Sequence, residues 1–376
     1  MIKSNFKGTE LSMLGFGLMR LPTVDGKIDK AQVEGMIDAA INGGLNYFDT
    51  AWPYHNGTSE NVIGEIMKKY PRESFFLADK YPGHQHFAEH HPDRIFEKQL
   101  AKCQVDYFDF YLLHNVCENS LADYQDSRWK ILEYFVEQKR QGRIRHLGMS
   151  THASAETLRE ILDSDWGKEI EFCQIQLNYM DWTLQNAKEK VKILNERNIP
   201  IWVMEGLRGG LLAKDVESSF RWLQTVEGVT MILSGMSNLQ QMNDNLRIFA
   251  ERKPLEEKEF ERMANECSML KDLVPCTACR YCVSECPQGL DIPSLIQSLN
   301  DMALTPKGEI AFTPIMYLES LDDDKQPKSC LGCGACASMC PQGIDIPKAM
   351  SDLAANYASS KKWSEICDER NRANPE

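Results

Sequence analysis

The chain has 376 residues, of which 43% are hydrophobic, and a formal net charge of −13. That length exceeds one average domain, and the negative charge excludes a general nucleic-acid binder. The apolar runs fall far short of the roughly 20 residues of a membrane span, and no basic stretch followed by an apolar segment opens the chain; a cytoplasmic protein with no membrane or nucleic-acid partner is expected.

In chain order, residues 11–17 read as a strand ending in glycines, and the spacing of Val33, Met36, Ile37, Ala40 and Ile41 predicts a helix over 29–42. The pair then repeats. Strands are expected at 47–50, 75–80, 107–114, 145–150, 172–178, 201–204 and 230–234, with helices at 59–70, 92–105, 127–141, 155–162, 184–197, 219–224 and 238–249. Strict strand-then-helix alternation over about 250 residues predicts an α/β fold, a TIM (β/α)8 barrel. A doubly wound sheet is the alternative, but no G-x-G-x-x-G follows the first strand. The charged stretch 251–259 reads as a linker, which divides the chain into a barrel over 1–250 and a second domain over 251–376.

Polar residues close several of the predicted strands. Asp49 ends Tyr47-Phe48-Asp49, with Tyr54 five residues on; Lys80 ends the third strand and His114 the fourth. Side chains at the C-terminal strand ends are where a parallel barrel builds its active site. Asp, Tyr, Lys and His in this order resemble the catalytic residues of the aldo/keto reductase family, and the whole chain is similar to the family's iron-sulfur branch. The resemblance implies an NAD(P)-dependent oxidoreductase acting on a small carbonyl or similar unsaturated substrate. Tyr54 would donate the proton, Lys80 would acidify it, Asp49 would hold Lys80, and His114 would orient the carbonyl. A phenol with a pKa of about 10 needs such an ammonium beside it to act as an acid at neutral pH.

The same resemblance implies the cofactor contacts. Gly17, Met19 and Arg20 fall beside the nicotinamide ribose, with Asp49 below. Ser150, Thr151 and Gln174 fall at the carboxamide, Thr151 replacing the usual Asn. Met204 and Leu207 border the ring, and Gly206 replaces a proline. Gly235, Met236, Ser237, Gln241 and Asn245 form the phosphate loop. NADP or NAD is the implied cofactor, with flavin possible. The loop 83–91 holds four of the chain's eight histidines, His84, His86, His90 and His91. It reads as a solvated loop or, alternatively, as an anion-binding or pH-sensitive substrate lip.

Thirteen cysteines are present, and eight fall in two runs that each match the Cys-x2-Cys-x2-Cys-x3-Cys-Pro spacing of bacterial iron-sulfur proteins. By analogy with two-cluster ferredoxins, Cys276, Cys279, Cys282 and Cys340 would hold one 4Fe–4S cluster, and Cys330, Cys333, Cys336 and Cys286 the second. The near-identical Cys-Pro-Gln-Gly-(Leu/Ile)-Asp-Ile-Pro segments at 286–293 and 340–347 point to internal duplication, and the wide separation predicts a small α-helical ferredoxin-like domain. Cys103, Cys117, Cys173, Cys267 and Cys367 are expected to be buried or free thiols. The combined reading is carbonyl reduction coupled to two clusters. The alternative is an electron-transfer protein that links a barrel-bound nucleotide or flavin to a redox protein partner; a nucleotide-sensing module is a third reading.

Overall fold

The computed structural model describes every residue except 86–88, 118–119, 185, 270–272, 306–309 and 367–376, so His86 and Cys367 lie outside the described residues. The chain divides into two compact units, Met1–Glu266 and Cys267–Glu376. The first is a closed barrel of parallel strands taken in sequence order: Leu14–Gly17, Tyr47–Asp49, Phe76–Tyr81, Phe108–Leu113, Ile144–Thr151, Cys173–Gln176, Ile201–Met204 and Val229–Gly235. Helices follow the strands and cover the outside; the sequence period of two on the strands and 3.6 on the helices matches these two layers.

Along each strand, alternate residues enter the barrel. Tyr47, Ala78, Phe110, Leu112, Phe172, Trp202 and Met231 pack as one interior cluster. Two residues beyond Tyr47, Ala78 and Leu112 stand Asp49, Lys80 and His114, which therefore share the inner face at the C-terminal mouth. Below them the interior is plugged by Phe6, whose ring lies 5.0 Å from Trp202 and 5.6 Å from Phe110.

Phe6 belongs to a strand, Lys3–Phe6, that the sequence reading did not predict. Residues 11–17 are not one strand: Thr9–Ser12 turns back on Lys3–Phe6 as an antiparallel hairpin, and only Leu14–Gly17 enters the barrel. The break is held by Ser12, whose hydroxyl donates to Leu14 O and whose amide donates to Asn46 Oδ1. The expected helix over 127–141 is also shorter, Ile131–Arg140, because Lys130 takes a left-handed φ of 48°. Elsewhere capping residues set the starts: Asp29, Asp215 and Asn238 each accept a backbone N–H of the helix they precede.

The division between units falls at 266, later than the expected 250, because the helix Glu257–Met269 begins on the barrel unit. There Glu259 accepts Ser218 Oγ at 2.6 Å and pairs with Arg221 at 3.1 Å. The second unit is helical. Its helices Ile292–Leu304 and Ile346–Ser359 both open at Ile-Pro after an Asp, and their apolar faces meet through Leu295, Leu299, Met350 and Leu353. The duplication extends to backbone conformation, with Gly289 and Gly343 at φ 60° and 62° in the two Cys-Pro-Gln-Gly turns.

Candidate active site and cysteine-lined cavities

Lys80 is buried at the mouth and has three partners. Its ammonium contacts Asp49 Oδ1, donates to Thr50 O at 2.8 Å and lies 3.3 Å from Tyr54 Oη. Burial opposes the charge on Lys80, but Asp49 and Tyr54 outweigh it and hold its pKa above the ordinary lysine value. Burial raises the Tyr54 phenol, and Lys80 pulls it back down only in part. The His114 ring meets Tyr54 edge-on at 6.1 Å, and burial, followed by His84, Lys80 and His152, pushes its pKa well below 6.5. The mouth thus brings an ammonium, a phenol and an imidazole into one cluster.

The cofactor candidates divide by placement. Gly17 lies in register between Asp49 and Gly235, and a side chain at Gly235 would press on Arg20 at 3.4 Å. Ser237 Oγ donates to Arg20 O at 2.8 Å, which brings the first and last loops together, and Ser237 N is capped by Gln241 Oε1 at 2.8 Å. Met19 and Leu207 are half-buried and Met204 ends its strand partly open. Ser150 and Gln174 pair across neighbouring strands, and the buried Gln174 Oε1 has no partner among the described residues. Three candidates turn away from the opening. Thr151 commits its hydroxyl to Val116 O and Ala153 N, Met236 packs in the core, and Asn245 donates to Ser234 Oγ and so braces the loop.

In the second unit two cavities lie among the cysteines. Cys276, Cys279, Cys282 and Cys340 line one; Cys286, Cys330, Cys333 and Cys336 line another. Each gathers three sulfurs from one run and the last from the other. Burial, with Cys276 and Cys340 next, pushes Cys282 up to about 12, and burial with Cys286, Cys330 and Cys333 pushes Cys336 up to about 11.

The profile of the aldo/keto reductase family matches residues 13–221, more than half of the chain. The chain belongs to the aldo/keto reductase family. It is an NAD(P)-dependent oxidoreductase, and its residues 275–344 match a 4Fe-4S dicluster domain. The NADH-specific methylglyoxal reductase of Escherichia coli is 26% identical over 230 residues, 56% of this chain and 68% of that protein. Among solved structures, the holo form of an aldo-keto reductase from Bacillus halodurans superposes with a TM-score of 0.56 at 22% identity, over 70% of this chain and 96% of the other. An aldo-keto reductase from Klebsiella pneumoniae in complex with NADPH gives a TM-score of 0.56 at 19% identity, over 71% and 95% of the two chains.

In this aldo/keto reductase two histidines of the 83–91 loop, His84 and His90, are buried, while Glu89 is exposed. His84 is 5% exposed and donates from Nδ1 to His114 O at 3.1 Å, with the two rings 4.6 Å apart. Tyr124 also donates to His114 O, at 2.7 Å, and the loop approaches it only because residue 83 is glycine: a Cβ there would sit 2.5 Å from the Tyr124 ring. His90 is buried against Tyr81 Oη at 3.2 Å, while His91 pairs with Glu89 at 3.3 Å. Sequence reasoning also missed His152, which donates to Gln176 Oε1 at 3.1 Å and faces Glu205 Oε1 at 3.8 Å; burial lowers its pKa to about 3. The signal available was a polar residue directly after the fifth and seventh strands. Replacing His84 by Phe keeps the ring and removes the N–H. The loss of about 1 kcal/mol is expected to lower kcat/KM for carbonyl reduction about fivefold with nucleotide affinity unchanged, measured by steady-state kinetics.

Proposed function

We propose that the barrel reduces a carbonyl compound with NADPH or NADH and that the second unit holds two 4Fe–4S clusters, one in each cysteine-lined cavity. The observation that carries the first part is Lys80 Nζ set between Asp49 and Tyr54, 3.3 Å from the phenol oxygen, with His114 across the ring. A bound nicotinamide supplies the hydride. The open, buried Gln174 Oε1 suits its carboxamide N–H, and the side-chain-free surface at Gly235 beside Arg20 suits its phosphates. His114, neutral at its ring, donates a hydrogen bond to the substrate oxygen and orients it. As negative charge gathers on that oxygen, Tyr54 gives up its proton, and Lys80 stabilises the phenolate left behind.

For the second part, the support is the division of the eight cysteines into two sets of four with three-plus-one membership. Hydride moves two electrons and a cluster one, so the cysteine cavities favour a second reading: a barrel-bound nucleotide or flavin that feeds a one-electron redox partner. Anaerobic purification, followed by identification of the nucleotide or flavin released on denaturation, separates the two.

The pH dependence follows from the site. The proton donor must be protonated, and burial has raised Tyr54, so the rate of reduction is expected to stay flat from neutral pH past 10 and fall only beyond. His114 is already neutral, so no inflection is expected near 6.5. The profile of kcat/KM with methylglyoxal as first probe checks both; an acid limb near 6.5 would contradict the neutral imidazole.

A further inference from the structure

The two cysteine loops repeat one backbone design. Ala278 N and Gly332 N each donate to the sulfur two residues earlier, Cys276 and Cys330, at 3.4 and 3.5 Å. Leu290 N donates to Cys286 Sγ at 3.4 Å, and Ile344 N likewise bonds Cys340. Ala278 and Arg280 adopt the left-handed φ that Gly332 and Gly334 adopt in the other loop. Cys340 also receives the backbone of Gln342 and Gly343, but backbone donors cannot be removed by substitution and so offer no test of what sets the cavities apart.

The side chains do. Thr277 is 1% exposed, lines the cavity of Cys276, Cys279, Cys282 and Cys340, and its Oγ1 has no hydrogen-bond partner among the described residues. A buried hydroxyl without a partner is unfavourable, and the acceptors that this cavity would offer are sulfurs. The corresponding residue of the other loop is Leu331, which carries no donor and is 63% exposed. Arg280 also lines the first cavity where Gly334 lines the second, but it is exposed and pairs with Asp291 at 3.0 Å, so its charge is screened.

We propose that Thr277 donates a hydrogen bond to a sulfur of the cluster held in the Cys276 cavity and makes that cluster the higher-potential one of the two. The inference rests on the two-cluster reading above. Adding one electron makes a cluster more negative, so a donor aimed at its sulfur stabilises the reduced form more than the oxidised one. Solvent at the exposed Cys333 acts the same way on the other cluster. A fixed hydroxyl in a buried, low-dielectric site is the stronger of the two, because mobile surface water is already well screened.

The test is an EPR-monitored redox titration of the anaerobic, full-length holoprotein, wild type against Thr277→Val and Thr277→Ser. Two one-electron waves are expected. Thr277→Val moves the more positive wave down by about tenfold in the reduction equilibrium, about 59 mV, leaves the other in place, and Thr277→Ser restores it. No shift, a shift of the more negative wave, or a Ser variant that behaves as Val overturns the proposal. Thr277→Ala repeats the test without the bulk of Val; if neither holds the cluster while Ser does, Thr277 acts in assembly and the potential assignment falls. Iron and acid-labile sulfide are measured alongside, and a wild-type chain with fewer than two clusters overturns the two-cluster reading instead.

Discussion

Tyr54→Phe is expected to slow carbonyl reduction by about 10²- to 10⁴-fold, the usual contribution of a positioned general acid. The substitution removes one oxygen and keeps the ring that lies 4.9 Å from Lys80 Nζ and edge-on to His114. Lys80 keeps Asp49 and Thr50 O as partners, so the mouth retains its charge balance and the barrel its stability. Nucleotide affinity should be unchanged, because the hydroxyl is placed for the reacting oxygen. Reduction of the clusters by dithionite should also be unchanged. Turnover within tenfold of wild type would remove Tyr54 from the role of proton donor and favour the electron-transfer reading, in which the barrel performs no carbonyl chemistry.

Cys340→Ser should remove the cluster of the other run, not that of its own. Cys340 lines the cavity of Cys276, Cys279 and Cys282, so its loss is expected to leave about half of the iron and sulfide of a two-cluster chain. The EPR signal that survives should match that of Cys276→Ser and differ from that of Cys330→Ser. The effect is large because a cluster missing one thiolate loses both a bond and the charge that balances its iron. A spectrum that matches Cys330→Ser would mean that each run holds its own cluster, and the three-plus-one arrangement would have no part in ligation.

Much of this was legible in the residues. Strand-then-helix alternation and polar residues at strand ends are local patterns: period two places Asp49, Lys80 and His114 on the inner face whatever the rest of the chain does. The Cys-x2-Cys-x2-Cys loops are equally local, since one short turn brings three sulfurs together. Other features were hidden because they depend on residues distant in sequence. His84 looked like part of a polar loop, and its burial needs Tyr124, 40 residues later, and the missing side chain of Gly83. Met236 and Asn245 lie in the expected phosphate loop, but core packing and Ser234 turn their side chains inward.

The amino-acid sequence alone thus announced the strand-then-helix alternation of the barrel, the inner face of its strand ends and the two cysteine loops, patterns carried by residues close in sequence. Tertiary structure alone decided the hairpin that plugs the barrel floor, the burial of His84 beside His114 and the transfer of residues 251–266 to the barrel unit. Each of these joins segments far apart in the chain, and side-chain periodicity carries no information about which distant surface a segment will meet.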